Sequence, residues 1–158
     1  MTKEEIKEYS FRITQGSRTD IVVVMYDMAI KYQKDAIKAF KENDHSEFRA
    51  QCMNAVRVVS DLIESLDFSY ELAMPLLRVY EYVSREISGA VIKNEIEGLN
   101  RCIRYMQSLK ESFEKVAKED SSGPVMGNSQ TVYAGLTYGK GTLNENVTAD
   151  NMNRGFSV

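Results

Sequence analysis

Between Ile21 and Phe40 the chain carries too much apolar surface for a single buried helix face. At about 100° per residue, Ile21, Met25, Met28, Tyr32 and Ala36 form one stripe, flanked by Val22, Ala29 and Phe40. Tyr26, Ile37, Ile30 and Val23 continue round to the far side. Asp27, Lys31, Lys34, Asp35, Lys38 and Lys41 leave a narrow polar strip. The apolar arc is therefore roughly two-thirds of the wheel, where a surface helix buries a band of little more than ~100°. Such a helix is either central to a bundle or keeps a spare face for another chain, and the wheel alone does not separate these two.

Three more segments have helical rhythm. Residues 45–66 place Phe48, Cys52, Ala55, Val59, Leu62 and Leu66 in alternating four–three steps. Leu72, Leu76, Val79, Val83, Ile87 and Ala90 follow in the same rhythm, and Ile96, Leu99, Ile103, Met106, Phe113 and Ala117 make the last stripe. Lys110 interrupts that stripe, which predicts a packed aliphatic stem with the ammonium in water. Ser17 with Asp20, Asp44 with Glu47, and Asn94 with Glu97 read as helix starts, a capping oxygen three residues before a carboxylate. Pro75 fits only a first turn, so the third long helix begins near Ala73 or kinks. Short connections predict an all-α, antiparallel up-down four-helix bundle. A brief amphipathic helix precedes it, on Ile6, Tyr9 and Ile13.

After Glu119 the pattern stops. Residues 120–158 read as an extension to a bundle domain of residues 1–119, and 121–158 hold six of the nine glycines. Residues 131–141 suit a hairpin or an extended arm, and the alternative is a plain flexible tail. Val132, Tyr133, Leu136, Tyr138, Leu143 and Phe156 are more apolar than a linker needs, which predicts docking on a surface.

The net charge of −3, from 20 basic and 23 acidic residues, provides no clustered basic face for a nucleic acid. No apolar run approaches the ~20 residues of a membrane span, and Met1 to Glu5 does not open a secretory signal. A cytoplasmic protein is expected. Cys52 and Cys102 fall on apolar stripes and read as buried thiols. His45, the single histidine, sits at a helix start. Glu42 to His45 spells one Glu-x-x-His, too little for a di-iron bundle. A histidine-phosphotransfer or other signalling bundle is the alternative reading, although it would want a mid-helix histidine. No nucleophile has a base in view, so neither catalysis, a metal nor a cofactor is expected.

The stretch from Gly16 to Ile30, with Val24-Met25-Tyr26-Asp27-Met28-Ala29-Ile30 at its centre, resembles the opening of the flagellin-specific export chaperones, the FliS family. There an aliphatic run leads into Met-Leu-Tyr-Asp-Gly-Ala-Ile or a close variant. Ser65-Leu66-Asp67 and Leu77-Arg78-Val79-Tyr80-Glu81-Tyr82-Val83 resemble later segments of that family, so the likeness spans about residues 9–118. Arg18 replaces a frequent proline, Met28 replaces the usual glycine, and Pro75 is unexpected. The resemblance implies a cytoplasmic, non-catalytic bundle that binds the disordered C-terminal segment of flagellin and brings it to the flagellar type III export apparatus. On that reading Ile21, Val22, Met25, Tyr26, Ala29 and Ile30 form the client surface, joined by Met53 and Val56 of the second long helix. Ile6 and Tyr9 would cover the groove or touch the export gate. The expected partners are flagellin and an export-gate component, with neither nucleic acid nor membrane insertion, and the chain would be a monomer or weak homodimer.

Overall fold

The computed structural model describes residues 1–126; the hairpin or arm expected at 131–141 and the rest of the extension lie outside them. Five α-helices follow one another: α1 (Lys3–Gln15), α2 (Arg18–Lys41), α3 (His45–Glu64), α4 (Ala73–Lys93) and α5 (Glu97–Glu119). No strand occurs among the described residues.

Most boundaries follow from local chemistry. Ser17 Oγ accepts from the Asp20 amide at 3.2 Å, and Asp20 Oδ2 accepts from the Ser17 amide at 2.9 Å. The box closes although aspartate stands where glutamate is usual. Thr2 and Glu5 form an equal box at α1, which the sequence reading did not single out. Asp44 caps α3 through the Glu47 amide at 2.9 Å. Pro75 is the third residue of α4, where its missing N–H would have had no helical partner in any case. Gly16 links α1 to α2 because a Cβ there would lie 2.9 Å from Asp20 Cβ and 3.1 Å from the Arg12 carbonyl oxygen.

The expected cap at Asn94 is not one. Asn94 is left-handed (φ 55°) and ends α4, while α5 begins after Ile96 without a side-chain cap. Asparagine tolerates that conformation better than other non-glycine residues, so it serves as a stop. Asn43 (φ 59°) does the same after α2.

The helix α2 packs against α3 and α5, α3 against α4, and α4 against α5, which closes a ring around one core. Along α2 and α5 the contacts run Gln33 to Met106, Asp27 to Lys110, Tyr26 to Phe113 and Thr19 to Asp120. One number falls as the other rises, so these two helices point in opposite directions. Val83 with Cys102 and Tyr82 with Tyr105 give α4 and α5 the same relation. The core holds Tyr26, Val59, Leu62, Val83, Ile87, Leu99 and Met106. Both cysteines are free and buried within it. Burial pushes both thiols up to about 12, which makes them poor nucleophiles at neutral pH. Gln33 is also fully enclosed; its amide nitrogen donates to the Ala29 carbonyl and to Met106 Sδ.

Candidate protein-binding surfaces

The broad apolar arc of α2 divides into walls and rims. Tyr26 and Ala29 are fully enclosed, and Ile30 retains only 6% of its exposure. These three belong to the core cluster, which corrects the expectation that they form a docking surface. The cause is geometric: Tyr26 lies between the rings of Tyr80 and Phe113, with centroids 6.2 and 5.5 Å away, so α4 and α5 close over it. Ile21, Val22 and Met25 are half-buried, and Val22 and Met25 pack on the edge of the core.

Met53 and Val56 lie in an open groove between α3 and α4 of about 400 Å³. Cys52 and Ile87 also line it, with Val91 and Ile92 along α4 and Arg49 and Arg57 at the margin. Met53 is 51% exposed and Ile92 84% exposed, a heavy display of aliphatic surface for two turns of helix. The sequence reading missed Ile92. The available signal was its position directly after Ala90 and Val91, off the core stripe of α4.

A second apolar cavity of about 360 Å³ lies where α2 and α4 begin and α5 ends. Val22, Leu66, Leu72, Leu76, Phe113 and Val116 form its apolar walls. Of the sequence-selected residues only Val22 reaches it.

The helix α1 has no buried residue and packs mainly on α2. It lies along the polar strip and meets apolar surface of α2 at Val23 and Val24, away from the α3–α4 groove. The N-terminal amino group pairs with Asp35 at 2.9 Å, Glu5 with Lys31 at 3.4 Å, and Arg12 with Asp27 at 3.0 Å. Asp27 also receives Lys110 of α5 at 2.5 Å, so the Lys110 ammonium is paired and not simply solvated as expected. Tyr9 is half-buried under the Arg12 guanidinium, 5.7 Å from its ring centroid, whereas Ile6 is 48% exposed. Phe11, Arg12 and Gln15 share a cleft of about 260 Å³ with Val23 and Val24.

These contacts shift the charges. The backbone hydrogen bond from Thr2, joined by Lys31, holds the Glu5 carboxyl below its ordinary range. Burial pushes Asp35 up, but hydrogen bonds from Lys31 and the N-terminal amino group outweigh it and leave the carboxyl lowered. Lys31 is raised by its hydrogen bond to Asp35, and Lys110 by its bond to Asp27.

His45 is the exposed first residue of α3. Among the described residues no three His, Cys, Asp or Glu side chains gather where a metal ion could sit. Among the same residues no helix is long and apolar enough to cross a membrane.

A ring of helices with open apolar grooves defines a helical bundle. The model of one family, described as flagellar protein FliS, matches residues 4–120, and the chain belongs to this family of flagellar export chaperones. The match begins within α1 and ends at the close of α5, so it takes in all five helices. A comparison with curated proteins found no match.

Proposed function

We propose that this chain is a cytoplasmic export chaperone that binds the disordered C-terminal segment of flagellin, prevents its premature polymerisation and assists its delivery to the flagellar type III export apparatus. Residues 1–119 act as the chaperone domain, with α2 to α5 as an up-down antiparallel four-helix bundle, and residues 120–158 as an extension. The observation that carries the reading is the α3–α4 groove, in which Met53 and Ile92 stand open beside half-buried Val56 in a chain of this family. An amphipathic segment that awaits helical partners can lay its apolar stripe there, with acidic side chains against Arg49 and Arg57. A thioether such as that of Met53 adapts to irregular apolar surfaces. Ile21, Val22 and Met25 extend the client surface along α2. The helix α1, tied to α2 by ion pairs and away from the α3–α4 groove, meets the export gate through Ile6 and Tyr9 rather than covering that groove.

Co-purification with flagellin provides the test. Flagellin that lacks its last forty or so residues should no longer be retained, and undiminished binding would refute recognition of the client tail.

A further inference from the structure

The cavity at the ends of α2, α4 and α5 is separate from the α3–α4 groove, and its surroundings are unusually apolar. Leu72 is 70% exposed and Val116 53% exposed, and exposed Phe68, Tyr70 and Met74 lie close by in sequence. Contiguous apolar surface of this kind marks a site that something covers. Its volume of about 360 Å³ suits a few large side chains.

The chain itself is led to this place. Thr19, a wall residue, donates to Asp120 Oδ2 at 2.8 Å, and the Val125 amide donates to the Gly16 carbonyl at 3.1 Å. Hydrogen bonds from Ser122 and from Thr19 hold the Asp120 carboxyl down to about 2, so this anchor stays ionised. Asp120 therefore stands at the cavity wall, Val125 lies at the neighbouring start of α2 beside Gly16, and 32 residues follow residue 126. Val132 is six steps along the chain from Met126, a reach of up to ~20 Å when extended. Residues 127–139 carry no charge, and Val132, Tyr133, Leu136 and Tyr138 are the large apolar and aromatic side chains in that stretch. The rim matches in kind: Arg18 and Asp67 oppose one another and leave little net field for a charged partner to exploit.

We propose that this cavity is the docking site for the chain's own residues 131–138, which place Val132, Tyr133, Leu136 and Tyr138 against Val22, Leu72, Leu76 and Val116. The extension is then a built-in occupant of the bundle end, distinct from the flagellin groove.

Amide hydrogen exchange on the full chain tests this. In the unaltered protein, amides 131–138 should exchange at least about tenfold slower than random coil, the mark of a local structure that must open first. Leu72→Asp and, separately, Leu136→Asp should return them to coil rates, while Ile92→Asp in the other groove should leave them protected. Aspartate suits position 72 because that residue precedes the first helical residue of α4, so the bundle keeps its fold. Coil-like exchange in the unaltered chain would overturn the proposal, as would protection that survives both substitutions. Protection that fades on dilution would also overturn it, because a second copy would then be the occupant.

Discussion

The phenolic oxygens of Tyr26 and Tyr80 stand 2.5 Å apart, one carried by α2 and the other by α4, with 0% and 2% of each residue exposed. Burial raises both phenols above their ordinary range, so neither ionises under physiological conditions. Two of the three tyrosines in the segments that carry the family resemblance thus meet inside the bundle, where they join helices that are not neighbours in sequence.

Tyr26→Phe strands the Tyr80 hydroxyl in the core and is expected to cost about 1–3 kcal/mol, as is Tyr80→Phe. The double substitution removes both polar groups together and should cost clearly less than the sum. Urea denaturation of the four proteins measures this, and strictly additive losses would contradict a shared hydrogen bond.

Gln33 tests the opposite case. Its Oε1 is buried and has no protein partner, although its nitrogen is bonded. Gln33→Met retains the length, removes the amide and should raise stability by about 1 kcal/mol in the same denaturation assay. A loss of similar size would show that the bonds to Ala29 and Met106 outweigh the stranded oxygen.

The attachment of α1 should depend on salt and pH. Arg12→Ala removes one of its ion pairs and should speed amide exchange throughout α1, while global stability falls by no more than about 1 kcal/mol. Glu5 and Asp35 sit below their ordinary range in the folded chain. Their contribution is complete above the unfolded carboxyl pKa, roughly 4, and is lost as pH falls through the lowered folded values. Lys31 is raised and remains charged throughout that interval. Protection of α1 should thus persist at neutral pH and fade below about pH 4. Its persistence in strong acid, or its indifference to molar salt, would assign α1 to apolar packing instead.

Much of this was legible because helical periodicity reports burial directly. Val59, Leu62, Val83, Ile87, Leu99 and Met106 were on predicted stripes and are in the core. The broad arc of α2 was read correctly as excessive for one face, but its division was not accessible to a helical wheel. Tyr26, Ala29 and Ile30 differ from Ile21 and Met25 only in which neighbouring helix reaches them, and no one-helix pattern records that. The position of α1 was hidden for a related reason. A polar strip ordinarily means solvent, and only the alternation of Glu5, Arg12, Asp27, Lys31 and Asp35 across two helices makes it an attachment site. Asn94 looked like a cap because the same short polar side chain serves helix starts and left-handed stops.

The groove on α3 and α4 yields the most direct test of function. Ile92→Asp alters a side chain that is 84% exposed, so stability should shift by no more than about 0.5 kcal/mol. Placed in the path of an apolar client stripe, the same carboxylate should weaken binding of a flagellin C-terminal peptide by about tenfold or more, near 1.4 kcal/mol. Met53→Asp, across the groove, should act alike, whereas Ile6→Asp on α1, outside the groove, should leave binding unchanged. Titration calorimetry with one peptide and all three variants separates these effects. If Ile92→Asp and Met53→Asp bind as the unaltered chain does, the client lies elsewhere, and the half-buried edge of α2 at Ile21 and Met25 becomes the surface to alter next.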